Sequence, residues 1–272
     1  MKKIVVVGSG FGGLSIASKL KAKKFDVTLI EKHKDLGGRA RTFVHNDFKY
    51  DAGPTVITAP YLIDELFSAH GEKLSDYVNL LPVKPWYRFL FDSGDYIDYG
   101  DKLISTVHEI KAKYGNDKAK AYLKLLKHSK QIFKKGFIEL SDEPFESIFS
   151  MLKHLPALIK IRFDRSVYQT VNKYLNNKNL NEALSMHPLL VGGNPYSTTS
   201  IYLLIQYLEW KWGVYYAEGG TGRIIDGLEK LLIKKDVNIK KNTEAKKIIL
   251  KNNKVVGIDT SQGIIDCDIV VC

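Results

Sequence analysis

The sequence predicts an α/β protein in which strands and helices alternate at both ends of the chain. Residues 4–7 form a short apolar run, residues 14–24 repeat apolar side chains at helical spacing, and residues 27–30 are apolar again. Helical spacing then dominates residues 102–190, and an alternating pattern resumes after the glycine turn at Gly219-Gly220. We therefore expect a sheet-containing region at each end of the chain and a mainly helical middle.

The same periodicities predict the remaining elements. A turn-rich stretch at 51–58 is followed by helical spacing at 61–69 and by an aromatic-rich, strand-like pattern at 76–99. Beyond Gly219-Gly220 we expect a helix through Leu232 and then strands at 237–239, 246–250, 255–259 and 264–271. The last apolar run reaches Cys272 with no turn or polar cap after it. We therefore expect this sequence to be a truncated piece of a longer protein.

Composition excludes several classes of protein. Hydrophobic residues make up 44% and charged residues 26% of the 272 positions, as in a globular protein with a core rather than a disordered chain. Cys267 and Cys272 lie in one terminal segment, where they cannot staple a fold of this length, so a reducing, cytoplasmic compartment is expected. No apolar run approaches the ~20 residues that cross a bilayer.

Basic residues exceed acidic ones by 41 to 30, which gives a formal net charge of +11. Most of them are dispersed lysines without an arginine-rich stripe, so we expect no nucleic-acid partner and favour an anionic membrane surface, bound peripherally. Two basic, amphipathic segments, 118–137 and 145–161, could lie in such an interface. An apolar stripe that faces the core under a solvated lysine face is an equal alternative for both segments. The sequence leaves the oligomeric state open.

A glycine motif joins the first predicted strand to the first predicted helix. Gly8, Gly10 and Gly13 satisfy the spacing G-x-G-x-x-G, with a further glycine at Gly12. In this context Gly8 allows a tight turn, Gly10 lets a pyrophosphate approach the backbone, and Gly13 lets the helix pack close to the strand. The motif therefore predicts a Rossmann-like dinucleotide site.

Glu31 follows the second predicted strand, where a carboxylate can accept hydrogen bonds from both hydroxyls of the adenosine ribose. An acidic residue at this place selects against a 2′-phosphate. NAD and FAD both fit this fingerprint, so a further feature has to separate them. No metal-ligand cluster, nucleophile elbow or Cys-His pairing is evident in the sequence.

The segment Gly37-Gly38-Arg39, shortly after Glu31, resembles a motif that separates FAD-binding from NAD-binding proteins. The spacing is similar to that of flavoproteins of the amine oxidase and carotenoid desaturase type. In those proteins the glycine amides and the guanidinium lie on the flavin side of the cofactor. The resemblance implies FAD as cofactor, with Gly38 and Arg39 among its contacts.

The chain as a whole resembles the bacterial-type phytoene desaturases. The resemblance covers essentially all 272 residues, and its most specific segments are Asp51–Ile57, His187–Pro195, Trp212-Gly213-Val214 and Gly219–Gly222. It places Gly53, Pro54 and Thr55 beneath the isoalloxazine and the backbone of Ala245 at the adenine. Two departures stand out: relatives continue beyond residues 264–271, and Ala217-Glu218 replaces their usual Pro-Arg.

This resemblance implies removal of hydrogen from a long apolar polyene, phytoene, with hydride transfer to flavin N5 in carotenoid biosynthesis. The catalytic residues stay unknown; Arg41 and Asp51 are weak candidates, with fold-supporting hydrogen bonds as the alternative role. Rival hypotheses are a flavoprotein acting on another isoprenoid, such as a thirty-carbon desaturase or a carotenoid isomerase, and an inactive flavin-binding fragment. An NAD-dependent dehydrogenase is a weaker rival, because the sequence gives no sign of a second, nicotinamide-handling half.

The resemblance also implies a discontinuous cofactor domain. Residues 1–75 and 214–272 would form a Rossmann-like FAD-binding domain with a three-stranded β-meander. Residues 76–213 would interrupt it as a mainly helical, substrate-binding and membrane-facing insertion. The strand at 237–239 would then join the sheet formed by the first two strands.

Overall fold

A computed structural model describes residues 1–139 and 162–272. Its first half alternates short strands with helices before two longer helices follow. In chain order the elements are β1 (Lys3–Val7), α1 (Phe11–Ala22), β2 (Asp26–Ile30), a 3₁₀ turn (Gly38–Ala40), β3 (Thr42–His45), β4 (Phe48–Asp51), α2 (Pro60–Ser68), β5 (Leu80–Pro82), β6 (Tyr87–Leu90), β7 (Tyr96–Tyr99), α3 (Leu103–Tyr114) and α4 (Asn116–Phe133).

The second half begins with helices and ends with strands. Its elements are α5 (Val167–Leu175), α6 (Lys178–Leu184), 3₁₀ turns at His187–Val191 and Ser200–Leu203, α7 (Leu204–Trp212), β8 (Tyr215–Ala217), α8 (Gly222–Lys234), β9 (Asn238–Lys240), β10 (Ala245–Lys251), β11 (Lys254–Thr260), β12 (Gly263–Asp266) and β13 (Ile269–Val271). The chain divides into two compact units, residues 1–81 with 215–272 and residues 82–214.

A parallel sheet of four strands, in the order β13-β1-β2-β9, organises the first unit. Strands from both ends of the chain meet in it, since Val5 is paired with Thr28 on one side and with Val270 on the other. β9 joins β2 through Leu29 and Ile239, in the sheet that the resemblance implies for it. Parallel strands need crossover connections, and α1 supplies one between β1 and β2.

The two faces of this sheet are covered by different layers. Because side chains alternate along a strand, Val6 and Leu29 face a helical layer that includes Leu14 of α1 and Leu228 of α8. The opposite face carries Val5 and Ile30 against Ile258 of the meander and Cys267. The first unit thus has three layers, helices, parallel sheet and β-meander, and both sheet faces are buried, as parallel sheets require.

The structure corrects one predicted strand. Residues 264–271 form two strands in different sheets: β12 is antiparallel to β11 and completes the meander β10-β11-β12, whereas β13 is parallel to β1. The break falls at Cys267-Asp268, where the Asp268 carboxylate accepts a hydrogen bond from the Lys3 amide at 2.8 Å. Asp266 and Asp268 interrupt the apolar residues of this segment, and the apolar residues on either side of them belong to two different strands.

A hairpin that the sequence analysis did not predict follows the first two strands. β3 and β4 pair antiparallel, and Asn46 and Asp47 form the two-residue turn with positive φ angles of 48° and 64°. Two consecutive residues in this region are typical of a type I′ turn, which matches the twist of the strands it joins. The hairpin exposes Phe43, Val44, Phe48 and Tyr50.

The second unit is built mainly from helices around an aromatic core. Tyr99 of β7, Ile110 of α3 and Val171 of α5 are fully buried in this core. Ser166 begins α5 with a capping box, in which the Ser166 hydroxyl accepts from the Gln169 amide and the Gln169 side chain accepts from the Ser166 amide. Local capping and a shared core thus define this unit.

Of the two alternatives for the apolar stripe of residues 118–137, the structure of α4 fits the core-facing one. Its apolar side chains Tyr122, Leu125, Leu126 and Phe133 are buried in the second unit, so the stripe faces the core. The lysine face remains exposed on this helix, at Lys120, Lys124, Lys127, Lys130 and Lys134. The other predicted docking segment, 145–161, lies outside the described residues. Among the residues described, no helix combines the length and apolarity needed to cross a membrane.

Acid should weaken the first unit through Glu72. Its carboxylate lies 2.9 Å from Nζ of both Lys234 and Lys235 and accepts a hydrogen bond from Tyr77, and hydrogen bonds from the two lysines lower the pKa of Glu72 to about 2. A carboxylate with a lowered pKa stabilises the fold above its ordinary value of 4.5, and this contribution is lost as the pH falls toward 2.

We therefore expect Glu72→Gln to lower the melting temperature at pH 7 and to have little effect near pH 2. Thermal unfolding of both proteins across this range measures the effect. If the two proteins differed in melting temperature by the same amount at pH 7 and near pH 2, this would contradict the lowered pKa of Glu72.

Candidate functional site

The geometry of the glycine turn between β1 and α1 requires glycine at two of its positions, Gly8 and Gly13. Gly8 has a φ of 87°, a backbone conformation that favours glycine, and its amide donates to the Ile30 carbonyl at 2.8 Å. A Cβ on Gly13 would lie 1.9 Å from the Gly8 carbonyl oxygen, so the close packing of helix on turn allows no side chain there. Cβ atoms on Gly10 or Gly12 would meet nothing within 4 Å.

The N-terminus of α1 fits the phosphates of a dinucleotide. Its N-cap, Gly10, makes no side-chain capping bond, and the first turn contains no acidic residue. The first amides of a helix lack partners within the helix and carry a partial positive charge. With the open backbone at Gly10 and Gly12, they form a cradle that suits a pyrophosphate.

Glu31 is buried directly beside this turn. Its Oε2 accepts hydrogen bonds from the Ser9 amide at 2.9 Å and the Ser9 hydroxyl at 2.6 Å, and its Oε1 accepts from the His33 amide at 3.0 Å. Burial raises the pKa of Glu31, but the hydrogen bonds from Ser9 and His33 outweigh it, and the net pKa is lowered. The side chain is therefore a carboxylate at neutral pH, the form that accepts ribose hydroxyls.

The loop containing Gly37, Gly38 and Arg39 returns to the glycine turn. The Gly37 amide donates to the Ser9 carbonyl at 2.9 Å, and a Cβ on Gly38 would lie 3.1 Å from the Gly10 Cα. The Arg39 side chain is exposed. The structure thus brings the Gly-Gly-Arg segment against the turn, with its guanidinium open to solvent.

Gly53 brings a further segment to this loop. Its Cβ position lies 2.2 Å from the Arg39 carbonyl oxygen, so only glycine allows this approach. Pro54 and Thr55 follow on the surface, and the Pro54 carbonyl accepts a hydrogen bond from the Thr221 hydroxyl at 2.6 Å. Residues 53–55 therefore lie beside the Arg39 backbone and are held by the start of α8.

Ala245 is the first residue of β10 and packs against the cluster that contains Val5 and Ile30. Just before it, the Thr243 amide donates to the Glu31 carbonyl at 2.8 Å. The segment that enters the meander thus runs beside the end of β2. This placement is compatible with the adenine contact that the resemblance implies for Ala245.

The two weak catalytic candidates differ in their surroundings. Asp51 accepts hydrogen bonds from the Thr42 hydroxyl at 2.9 Å and the Thr221 amide at 3.0 Å, and so ties the β3–β4 hairpin to the start of α8. The guanidinium of Arg41 lies over the Phe43 ring at 4.6 Å. These contacts support the fold-supporting alternative for Asp51 and leave Arg41 partly exposed.

Replacing Asp51 tests that role. We expect Asp51→Ala to reduce the free energy of unfolding by about 1–3 kcal/mol, because two donors lose a charged acceptor. Urea denaturation measures it, with the exposed Asp35→Ala as the matched control, for which we expect a change within about 0.5 kcal/mol. Equal stability of the two variants would contradict the structural role.

The sequence analysis missed the hydroxyl residues that connect these segments. Ser9 and Thr221 each bond to a segment far away in sequence, whereas Thr42 bonds to Asp51 across the β3–β4 hairpin. Ser9 gave one signal in the sequence, because it is a hydroxyl residue inside the glycine motif and that motif was expected to lie near Glu31. The threonines gave no signal, because the hairpin that places Thr42 was not predicted.

Comparison with known proteins agrees with this geometry. Residues 11–272 match the family described as flavin-containing amine oxidoreductases. The chain is 40% identical over 99% of its length to a lycopene-forming phytoene desaturase of Pseudescherichia vulneris, and 39% identical over 97% to one of Pantoea ananas. It covers 55% and 53% of these proteins, and so spans about half the length of the curated relatives it matches.

Among solved structures, an oxidoreductase from Methanosarcina mazei superposes on 98% of this chain with a TM-score of 0.59. The chain covers 58% of that protein, and the two sequences are 18% identical. At this identity the likeness shows a shared fold and nothing further.

Proposed function

Because this chain belongs to the flavin-containing amine oxidoreductase family, we propose that it forms the FAD-binding region and part of the substrate-binding region of a phytoene desaturase. The observation that carries the proposal is the convergence of separate segments on one turn: Glu31 and Gly37 both bond to Ser9, and Gly38 packs on Gly10. The similarity to lycopene-forming desaturases supports phytoene as the substrate.

The proposed cofactor contacts are distributed along the length of FAD. The amides at the start of α1 would bind the pyrophosphate, Glu31 the adenosine ribose and the Ala245 backbone the adenine. The flavin side would be contacted by Gly38, Arg39 and residues 53–55. In full, the proposed contact residues are Gly8, Gly10, Gly12, Gly13, Glu31, Gly38, Arg39, Gly53, Pro54, Thr55 and Ala245.

The chain's own residues would bind and orient the cofactor and the substrate. Desaturation removes a hydride and a proton from the polyene, and FAD, when bound, would be the oxidant that accepts the hydride. The exposed apolar side chains of the β3–β4 hairpin, Phe43, Val44, Phe48 and Tyr50, would suit an apolar substrate better than a polar one. No residue is assigned to the chemical step.

We further propose peripheral binding to the cytoplasmic face of a membrane, since a long polyene dissolves in the bilayer. The support is electrostatic: Lys120, Lys124 and Lys127 recur at helical spacing on the exposed face of α4, and the exposed Lys134 directly follows this helix. Flotation with anionic liposomes should be strong at low salt and lost at high salt. Equal flotation with neutral liposomes would contradict this.

Replacing Glu31 tests the cofactor site. We expect Glu31→Ala to weaken FAD binding by about 1–3 kcal/mol, the scale of hydrogen bonds to a charged acceptor. Titration followed by flavin fluorescence measures this, with the exposed Glu65→Ala as a control that keeps the affinity of the unmodified chain. An unchanged affinity in Glu31→Ala would remove Glu31 from the site.

Activity is tested with phytoene in liposomes, FAD and product analysis. Conversion toward lycopene supports the proposal. Turnover of a thirty-carbon analogue alone, or isomerisation without desaturation, would favour the related flavoproteins. Bound flavin without turnover would identify a flavin-binding fragment, and a chain that binds no flavin would contradict the proposal.

A further inference from the structure

Ser9 contacts both of the other segments that converge on the glycine turn. Its amide and hydroxyl both donate to Oε2 of Glu31, at 2.9 and 2.6 Å, and its carbonyl accepts the Gly37 amide at 2.9 Å. The residue is fully buried. The backbone bonds are open to any residue at this position. Two contacts of the hydroxyl depend on serine: the bond that it donates to Glu31 and a longer bond that it accepts from the Gly37 amide at 3.3 Å.

These bonds leave the two carboxylate oxygens of Glu31 with different remaining capacities to accept hydrogen bonds. A carboxylate oxygen has two lone pairs. Oε2 already accepts two donors from Ser9, whereas Oε1 accepts one, the His33 amide at 3.0 Å. Oε1 therefore retains acceptor capacity, and Oε2 is occupied.

We propose that Ser9 is a positioning residue that fixes the Glu31 carboxylate so that Oε1 receives the adenosine ribose of the cofactor. This inference rests on the proposed function. It refines the expectation from the sequence, in which Glu31 accepts hydrogen bonds from both ribose hydroxyls. Ser9 itself does not touch the cofactor in this account and acts through Glu31.

A buried serine that only fills space would behave differently from one that acts through Glu31. Ser9→Ala keeps the amide bond to Glu31 and removes the 2.6 Å hydroxyl bond. It also removes the 3.3 Å contact of the hydroxyl with the Gly37 amide, but that amide keeps its 2.9 Å bond to the carbonyl of residue 9. The hydroxyl bond to Glu31 helps to lower the pKa of this carboxylate, and the nearby His33 side chain is the other titratable group that acts on it. Loss of the hydroxyl bond should raise the pKa of Glu31, so that FAD affinity declines at a higher pH than in the unmodified chain.

The experiment is a set of FAD titrations from pH 3 to 8 on the unmodified chain, Ser9→Ala, Glu31→Ala and the double variant, because the pKa of Glu31 lies below its ordinary value of 4.5. At pH 7 we expect Ser9→Ala to bind FAD about tenfold more weakly, as for one charge-assisted hydrogen bond. The midpoint of its decline at low pH should move upward. The double variant should bind no more weakly than Glu31→Ala alone, because Ser9 acts through Glu31.

Ser18→Ala is the matched control. Ser18 is an equally buried serine of α1, and its hydroxyl bonds to the Leu66 carbonyl at 2.9 Å, away from the turn. It reports the cost of removing a buried hydroxyl and should leave FAD affinity unchanged. Ser9→Cys is a second variant that fills the site with only a weak donor, so it should reproduce the loss if Ser9→Ala does not fold.

The outcomes separate this inference from the proposed function. If the unmodified chain binds no FAD, the proposed function fails and this inference fails with it. If the unmodified chain binds FAD and the Ser9 variants bind equally well, only this inference is overturned. A loss in Ser9→Ala that is independent of pH and adds to that of Glu31→Ala would also overturn it.

Discussion

Gly13→Ala is expected to destabilise the first unit by about 3 kcal/mol and to abolish measurable FAD binding. The added Cβ would lie 1.9 Å from the Gly8 carbonyl oxygen. The obstructing atom belongs to the backbone, so no rotamer change relieves the clash, and α1 must move away from the turn. That movement displaces the helix amides proposed to bind the pyrophosphate.

Gly12→Ala is the matched control for stability, because it makes the same substitution one residue earlier on the same helix. Nothing lies within 4 Å of its Cβ position, and alanine favours a helix over glycine by about 1 kcal/mol. We expect Gly12→Ala to be as stable as the unmodified chain or more stable. Similar free energies of unfolding in urea for Gly12→Ala and Gly13→Ala would contradict the close approach of Gly13 to the Gly8 carbonyl.

Glu209→Ala is expected to reduce the free energy of unfolding of the second unit by about 3–5 kcal/mol, the cost of breaking a buried ionic or hydrogen-bonded pair. Glu209 is fully buried and accepts hydrogen bonds from the Tyr87 hydroxyl at 2.8 Å and from Nε2 of His187 at 3.0 Å. Burial and the nearby Glu209 carboxylate raise the pKa of Tyr87 well above its usual range. Removing the carboxylate leaves two buried donors unsatisfied.

Glu182→Ala is the control for this prediction, since Glu182 is an exposed glutamate on α6 of the same unit. Its change in unfolding free energy should stay within about 0.5 kcal/mol. Urea denaturation followed by tryptophan fluorescence measures both, because Trp210 lies in the same aromatic cluster as Tyr99. A loss below about 1 kcal/mol in Glu209→Ala would contradict a shared acceptor role.

The first strand, helix and strand were predictable because their determinants are local in sequence. Apolar runs give β1 and β2, and the six-residue glycine motif between them, Gly8–Gly13, forms the turn and the start of α1. The position of Glu31 follows from the end of β2. These features depend on residues within one βαβ unit, so the α/β fold could be derived from the sequence.

Features that depend on contacts across the fold were not predictable in the same way. Residues 264–271 are split because β12 pairs with β11 and β13 pairs with β1. β11 is the neighbouring strand in sequence, whereas β1 lies near the start of the chain. The Ser9–Glu31 bond joins residues 22 positions apart and depends on a rotamer. Periodicity alone also could not decide whether the apolar stripe of α4 faces a membrane or the core.

Equilibrium titration of the purified 272-residue chain with FAD, followed by flavin fluorescence and competition, tests the central claim most directly. We expect saturable binding of FAD. ADP should displace the bound FAD, whereas adenosine 2′,5′-bisphosphate should not, because Glu31 repels a 2′-phosphate. Absence of saturable binding, or equal displacement by the two nucleotides, would contradict a FAD site formed by the glycine turn and Glu31.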